Sequence, residues 1–192
     1  MSDCKAIAVF GSASSDIDDR FVQPVFDTGV LLAKKGITMI YGVGDNGLMG
    51  AAFRGVRSQG GKVLGITIPV LFERQCADPT IYEPDELKIV PTLHDRKHMM
   101  MQSADALLIA PGGWGTIDEI ASFGVHTKIG DRTKKPMIFL NYDGFWNPMK
   151  DLIATMLKRG AVKQDQIDFV DYADTPADIF DAIDRAQNRL SK

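Results

Sequence analysis

The stretch IAPGGWGTIDEI, residues 109–120, joins an apolar run to a segment of helical periodicity through a glycine-rich turn. The run that leads into it, ALLIAP at 106–111, has the length and composition of a strand buried on both faces. Beyond the turn, apolar or small residues recur at helical spacing, at Ile117, Ile120, Ala121, Gly124 and Val125. A buried strand, a tight turn and a helix in this order predict one βα unit of a parallel sheet.

The same alternation continues on both sides of this stretch. Candidate strands rich in Ile and Val lie at 6–11, 37–42, 62–68, 106–111, 136–141 and 167–172. Helical periodicity fills the segments between them, and Thr175 followed by Pro176 starts a terminal helix. We therefore predict an α/β fold with a Rossmann-like, doubly wound, mostly parallel sheet of six or seven strands and helices on both faces.

The composition is that of an ordinary globular protein. With 192 residues, 45% of them hydrophobic and 24% charged, the chain suits a single domain over 1–192. Its net charge of −3 predicts neither nucleic acid nor a membrane as the main partner. No signal peptide or apolar span of about 20 residues is recognisable, so a cytoplasmic location is expected. Cys4 and Cys76 form neither a metal-binding spacing nor a disulfide framework.

One segment, 70–91, interrupts the alternation. It carries three prolines and an acidic cluster of Glu83, Asp85 and Glu86. We predict a long insertion here, which serves either as a lid or binding segment or as a solvated connector.

Three glycine-bearing loops follow predicted strands, at 11–16, 41–50 and 111–119. The carboxyl ends of parallel strands share one sheet edge, where such folds bind ligands, so the loops are expected to form one cleft. Glycines allow backbone amides to approach a ligand, and a helix N-terminus there favours a phosphate. The alternative is that the glycines only permit tight turns and close helix packing. Candidate ligand contacts are Gly11, Ser12, Gly44, Gly47, Gly112, Gly113, Trp114, Gly115 and Thr116.

Glu119 has two interpretations. Thr116 and Glu119 have the spacing of a capping box, in which the two side chains satisfy backbone donors at a helix start. However, one cap needs no cluster of three glycines, and that cluster clears space for a ligand beside the same helix end. A carboxylate one turn into the helix would then lie next to a bound anion and act on its neighbour.

A helix predicted over 92–103 has Arg96, Lys97 and His98 in its first turns. Cations at that end oppose the helix dipole, so local stability does not account for them, whereas an anionic ligand would. Arg96 shares a helix face with Met100 and is predicted to lie at the edge of the core.

The three histidines are expected to have minor roles. His126 lies two turns beyond Glu119, about 10 Å along the helix, which is too far for an acid–base pair. It is predicted to line the pocket wall at most. His94 and His98 have no third ligand in the sequence pattern, so no metal site is predicted.

Taken together, these segments resemble the LOG family, the phosphoribohydrolases of cytokinin riboside 5′-monophosphates. PGGWGTIDE corresponds to the family signature PGGxGTxxE, YGVGDNGLMG to the YGGGxxGLMG loop, and HDRKHMM to the Arg-Lys helix segment. GSASS and LNYDGFWNPM match two further segments, so the resemblance covers about 5–158 in order and spacing.

The resemblance implies a homodimer that needs no cofactor and splits the N-glycosidic bond of a nucleoside 5′-monophosphate, giving free base and ribose 5-phosphate. It implies that Arg96 and Glu119 are the catalytic pair, and that Lys97 and the 112–116 loop hold phosphate and sugar. A carboxylate can stabilise the oxocarbenium-like transition state while it activates water, and an arginine can clamp the substrate. Asp118 is a candidate substrate contact or acid for the leaving base, although its helix position turns it away from Glu119.

Departures from the family pattern concern the pocket more than the reaction. Val43 replaces a glycine, Asp45 adds a carboxylate to its loop, and Val125-His126 replaces a Thr-Trp pair. These changes weaken a prenylated adenine as the base and make AMP or another purine monophosphate a candidate.

Two other activities are alternatives to hydrolysis. Lysine decarboxylase, a label that family members have carried, would require pyridoxal phosphate on a lysine that nothing in the sequence singles out. A non-catalytic nucleotide or molybdenum-cofactor carrier of the same fold is the stronger alternative, but a carrier has no need of both Arg96 and Glu119.

Overall fold

Seven strands form one sheet in the computed structural model, which describes residues 4–75, 84–130 and 133–191. They are β1 (Ala6–Phe10), β2 (Thr38–Tyr41), β3 (Val63–Thr67), β4 (Glu86–Ile89), β5 (Ala106–Ile109), β6 (Met137–Leu140) and β7 (Val170–Ala173). Their spatial order is β4-β3-β2-β1-β5-β6-β7, and every neighbouring pair is parallel. The predicted Rossmann-like parallel sheet is confirmed, with all strands parallel.

Helices cover both faces of this sheet. They are α1 (Val22–Lys34), α2 (Gly47–Ser58), α3 (Pro69–Gln75), α4 (Leu93–Ser103), α5 (Trp114–Ile129), α6 (Asn147–Lys158) and α7 (Ile179–Leu190). One buried apolar cluster joins α1, α2 and α7 to the sheet, and a second joins α4 and α5 to its other face. None of these described helices is both long and apolar enough to cross a membrane.

The segment 70–91 is not a plain insertion, which corrects the sequence prediction. It contains most of α3 and the edge strand β4, which pairs with β3 from Leu64↔Glu86 to Thr67↔Ile89. Because β4 lies at the sheet edge, its side chains are largely exposed and its sequence, ELKI, lacks a buried apolar run. Residues 76–83, which include Cys76 and Glu83, lie outside the described residues.

The last strand also begins later than predicted. It spans Val170–Ala173 rather than 167–172, and Phe169 just before it is buried against Phe123 of α5. Phe169 is a buried apolar residue of the turn before β7, and the sequence pattern therefore includes it in the strand.

The strand order changes direction between β1 and β5, which places a crevice beyond their carboxyl ends. On one side of this point the chain winds through β2, β3 and β4, and on the other through β6 and β7. The loops after β1, β2 and β5 therefore meet at the edge where the sequence predicted a cleft.

Close packing of α1 on α2 depends on two glycines. A Cβ added at Gly29 would lie 2.2 Å from the Ala52 carbonyl oxygen and 2.8 Å from the Val56 amide nitrogen. A Cβ at Gly55 would lie 2.1 Å from the Phe26 carbonyl oxygen. These neighbours are backbone atoms, so the two helices would have to move apart.

We expect Gly29→Ala to lower the free energy of unfolding by about 1–3 kcal/mol or more, because it overpacks a backbone-to-backbone contact. Urea unfolding followed by circular dichroism measures the change. Gly124→Ala is the matched control: its added Cβ, inside α5, meets no atom within 4 Å and should leave stability unchanged or slightly raised. Equal stability of wild type and Gly29→Ala would contradict the helix packing described above.

Candidate active site

A cavity of about 380 Å³ opens at the carboxyl ends of β1, β2 and β5. It is lined by apolar side chains, by the glycine loops and by four charged side chains. Its lining comprises Val9, Phe10, Gly11, Ser12, Ala13, Gly42, Val43, Gly44, Met49, Leu71, Leu93, Arg96, Lys97, Met100, Gly113, Gly115, Thr116, Asp118 and Glu119. An apolar cavity with a few convergent polar groups has the character of a small-molecule site.

Most of the site residues predicted from the sequence meet in this cavity. Those in its lining are Gly11, Ser12, Gly44, Arg96, Lys97, Gly113, Gly115, Thr116, Asp118 and Glu119. Gly47, Gly112 and Trp114 are not among the lining residues. Trp114 is 86% exposed beside the cavity, and an added Cβ at Gly112 would contact the Thr116 side chain.

Arg96 reaches the cavity from the first turns of α4. This helix begins as predicted, with Thr92 as N-cap accepting a hydrogen bond from the Asp95 amide. The Arg96 Nε donates to the Ile66 carbonyl oxygen at 3.2 Å. Its guanidinium lies over Gly42, where an added Cβ would be 1.6 Å from Nη2. A glycine after β2 is therefore needed for the position of this guanidinium.

Glu119 is not part of a capping box, so that interpretation of the sequence is wrong. Helix α5 begins at Trp114 with Gly113 as N-cap, which places Thr116 inside the first turn. Thr116 and Glu119 are both buried, at 3% and 9% exposure. The glycines allow the helix to start three residues earlier than the Thr116 pattern predicted, and Glu119 then lines the cavity.

The two helices bring Arg96 and Glu119 together across the cavity. Arg96 Nη1 lies 3.5 Å from Glu119 Oε1, and both side chains are nearly buried. Burial raises the pKa of Glu119 to about 7, with Arg96 and Lys97 lowering it and Asp118 raising it further. Burial lowers the pKa of Arg96, while Glu119 raises it. A carboxyl group with a pKa near neutrality can exchange protons with a substrate at physiological pH.

Lys97 and Asp118 form a second ion pair between the same helices. Lys97 Nζ donates to Asp118 Oδ2 at 2.6 Å and to Ser122 Oγ at 2.9 Å. The Ser122 hydroxyl lies 3.4 Å from the other carboxylate oxygen, Oδ1 of Asp118. Lys97 is nearly buried, with its side chain 16% exposed, whereas Asp118 is largely exposed.

The N-termini of α2 and α5 differ in how their amides are used. The amides of Leu48 and Met49, at the start of α2, donate to the Ser12 carbonyl oxygen at 2.9 and 3.3 Å. Gly47 permits this contact, because its φ is +55° and an added Cβ would lie 2.7 Å from that oxygen. Helix α5 has no side-chain cap, and Gly113, Gly115 and Thr116 at its start line the cavity. An anion therefore fits α5 better than α2.

Val43 is in a backbone conformation that branched residues rarely adopt. Its φ is 59°, it is almost fully buried, and it lines the cavity. The side chain packs over Gly65 of β3, where an added Cβ would lie 2.7 Å from Val43 Cγ2. The valine thus fills space between the loop and the sheet that the glycine of the family pattern would leave open.

The three histidines are not among the residues that line the cavity, in line with the minor role predicted for them. The ring of His94 is 6.3 Å from that of His98 and 6.2 Å from that of His126, measured between centroids. Across 4–75, 84–130 and 133–191, no group of three or more His, Cys, Asp or Glu residues is placed to hold a metal ion.

Sequence reasoning missed three contributions to the site. Gly42 provides space for the Arg96 guanidinium, Ile66 provides a backbone acceptor for it, and Ser122 holds Lys97. Only Ser122 left a signal, since it lies one helical turn after Asp118. The other two contacts join segments that are distant in the sequence.

Comparison with known proteins places this cavity in a family context. Cytokinin riboside 5′-monophosphate phosphoribohydrolase LOG7 of Arabidopsis thaliana is 32% identical over 158 residues, which cover 82% of this chain and 71% of that protein. A probable enzyme of the same description from Oryza sativa subsp. japonica, LOG4, is 30% identical over 188 residues, covering 98% and 76%. The molybdenum cofactor binding protein of Rippkaea orientalis has the same fold, with a TM-score of 0.71 at 21% identity over 94% and 95% of the two chains.

A family model described as "Possible lysine decarboxylase" matches residues 49–183, which include α4, α5 and the glycine turn between β5 and α5. The matched part thus contains both Arg96 and Glu119. On this match and on the identity to the phosphoribohydrolases, the chain belongs to the LOG family.

Proposed function

We propose that this protein hydrolyses the N-glycosidic bond of a purine nucleoside 5′-monophosphate to free base and ribose 5-phosphate. One observation carries the proposal: a buried carboxyl group, Glu119, with a pKa of about 7, lies 3.5 Å from Arg96 beside an uncapped helix N-terminus. The names of the relatives support the same reaction.

The phosphate of the substrate binds at the start of α5. Gly113, Gly115 and Thr116 at this helix start line the cavity, and the amides and dipole of a helix N-terminus favour an anion. Glycines at 113 and 115 leave this end open, because an added Cβ at either would meet no atom within 4 Å. The sugar then extends inward toward Glu119, which lies one turn further along the helix.

The chemistry at the anomeric carbon matches a buried carboxylate next to a cation. Ionised Glu119 accepts a proton from a water molecule as that water forms a bond to the anomeric carbon. The bond from that carbon to the base nitrogen breaks, its electron pair leaves with the base, and the base takes up a proton from solvent. Positive charge develops on the sugar in the transition state, and the carboxylate stabilises it. Arg96 orients the sugar or phosphate so that the anomeric carbon faces Glu119.

The base lies in the apolar part of the cavity. Phe10, Val43, Met49 and Met100 line it, with Leu71 of α3 at one side. Val43 fills space that a glycine would leave open, which favours an unsubstituted purine such as adenine over a prenylated one.

A carrier that binds a nucleotide without cleaving it is the second candidate, and the fold shared with the molybdenum cofactor binding protein favours it. A carrier would use the glycine loops but has no use for a carboxyl group held near neutrality beside an arginine. Lysine decarboxylase would require pyridoxal phosphate on a lysine. Lys97 is the lysine in the lining, and its amine is held by Asp118 and Ser122.

One experiment distinguishes the three candidate functions, which are hydrolase, nucleotide carrier and lysine decarboxylase. Purified protein is incubated with AMP, with a prenylated AMP and with lysine plus pyridoxal phosphate, and the products are separated by chromatography. Release of adenine and ribose 5-phosphate from AMP supports the proposal. Binding of AMP by calorimetry without release supports a carrier, and formation of cadaverine supports the decarboxylase.

We also propose that the chain forms a homodimer through the outer surface of α4 and α5. Val125 and Ile129, one turn apart on α5, are 57% and 65% exposed, and Leu93 at the start of α4, which also borders the cavity, is 52% exposed. Exposed large apolar side chains on adjacent helices favour association with a second copy.

We expect Ile129→Lys to raise the dimer dissociation constant about tenfold or more, because it inserts a charge into an apolar contact. Sedimentation velocity over a concentration series measures this constant. Leu152→Lys on α6, at a similarly exposed leucine on a different helix, is the control and should have no effect. A wild-type protein that is monomeric at every concentration would refute the dimer.

A further inference from the structure

Two ion pairs connect α4 to α5 side by side, and they differ in character. The inner pair, Arg96 and Glu119, faces the cavity and is separated by 3.5 Å. The outer pair, Lys97 and Asp118, is separated by 2.6 Å and is joined by Ser122, which hydrogen-bonds Lys97. We call Lys97, Asp118 and Ser122 the outer tie.

The outer tie is a short hydrogen-bonded network, whereas the inner pair is a looser electrostatic contact. Neighbouring residues on each helix form the two pairs, so the outer contact limits how far the inner groups can separate. Arg96 is additionally fixed by its bond to the Ile66 carbonyl oxygen. The Glu119 carboxylate thus remains available to a reactant while its distance from Arg96 is held.

The outer tie also occupies the lysine that the family resemblance gave to the phosphate. Lys97 is nearly buried, and two of its three ammonium protons are used by Asp118 and Ser122. A phosphate bound to Lys97 would have to displace Asp118 or lie beside it, and the second arrangement brings two negative groups together.

We propose that Lys97 and Asp118, held by Ser122, are positioning residues that fix α4 against α5 and balance the charge around Glu119, rather than binding the phosphate. The proposal rests on the proposed function, because it assigns these residues to the hydrolytic site. Its electrostatic part concerns the free protein and can be measured without turnover.

The two charges of the outer tie act on Glu119 with opposite signs. Lys97 lowers the pKa of Glu119 and Asp118 raises it, in addition to the larger effects of burial and Arg96. The cavity-lining residues contributed by the β1 and β2 loops and by α3 are uncharged. Arg96 and Lys97 from α4 and Asp118 from α5 are therefore the charged groups that line the cavity around Glu119.

The test compares Lys97→Met, Asp118→Asn and the double variant in the full-length protein. Glutamate labelled with ¹³C at the carboxyl carbon is titrated by NMR, and Glu119→Gln assigns the signal. We expect Lys97→Met to raise the pKa of Glu119 by about 0.5 pH unit or more, and Asp118→Asn to lower it by a similar amount. In the double variant, the pKa of Glu119 should lie between its values in the two single variants.

Opposite directions distinguish a charge balance from simple loss of structure, which would move both variants the same way. Ser122→Ala, which changes no charge, is the matched control and should move the pKa less than either. Shifts in the same direction, or no shift in both single variants, would overturn the electrostatic role.

Steady-state kinetics with AMP tests the second half of the proposal. We expect Lys97→Met to lower kcat about tenfold while KM stays within about threefold, because the lysine holds α4 against α5, and so places Glu119 and Arg96, without binding the substrate. A tenfold rise in KM with unchanged kcat would assign Lys97 to the phosphate and overturn the proposal. If wild type releases no base from AMP, the proposed function fails, yet the NMR titration still decides the charge balance.

Discussion

Glu119→Gln is expected to lower kcat for the release of adenine from AMP by about a hundredfold or more, equivalent to about 2.7 kcal/mol of barrier. Glutamine has the same shape but can neither accept the proton of the attacking water nor stabilise positive charge on the sugar. Wild-type activity should rise with pH through about 7, the pKa of Glu119, since the ionised form acts as the base. The variant should lack that rise.

Arg96→Ala should cause a loss of similar size, because it removes both the clamp and the cation beside Glu119. Gly42→Ala tests the position of the Arg96 guanidinium while the arginine itself is kept. Its new Cβ occupies the guanidinium position and displaces this group from Glu119, so activity should fall.

These rates are measured by chromatography of free base over a pH series, with circular dichroism to check folding. Gly124→Ala is the control, because it adds a methyl group that meets no atom within 4 Å and should leave activity unchanged. Activity of Glu119→Gln equal to that of wild type would remove the mechanism proposed for this site.

The second large effect is on stability. Glu119 has its pKa raised from 4.5 to about 7 by burial, so the folded protein binds its proton more tightly than the unfolded chain does. The resulting stabilisation is fully present below pH 4.5 and is lost as pH rises through about 7. A difference of about 2.5 pH units corresponds to about 3 kcal/mol.

Glu119→Gln should lack this dependence, because its side chain stays neutral at every pH. Urea unfolding of both proteins between pH 5 and 8 gives the difference in free energy of unfolding at each pH. Between pH 5 and 8, we expect the free energy of unfolding of the variant to rise relative to that of wild type by up to about 3 kcal/mol. Parallel curves would contradict the raised pKa and leave Glu119 an ordinary carboxylate.

The fold was predictable because central strands buried on both faces leave continuous apolar runs in the sequence. Helix α4 was also predictable from Thr92 as its cap. The edge strand β4 was missed, since an exposed strand has no such run. The start of α5 was misplaced because Thr116 and Glu119 match a capping pattern that the preceding glycines override.

The candidate site was partly predictable. The resemblance to the LOG family pointed to both Arg96 and Glu119, and the cations at a helix N-terminus pointed to Arg96 as well. The fold brings both residues to one cavity. The contacts that fix the positions of Arg96 and Glu119 could not be inferred from the sequence, because they join segments that are far apart along the chain. The link from Lys97 to Asp118 requires the packing of α4 on α5, and the Ile66 acceptor requires the position of β3.

The close approach of the Arg96 guanidinium to Gly42 should link these two positions in evolution as well as in space. An arginine at 96 tolerates no side chain at 42, whereas a shorter residue at 96 would remove that restriction. Across the family, this glycine should accordingly covary with the arginine. Homologues that have lost the arginine, and with it hydrolysis, should be the ones in which position 42 has drifted to larger residues.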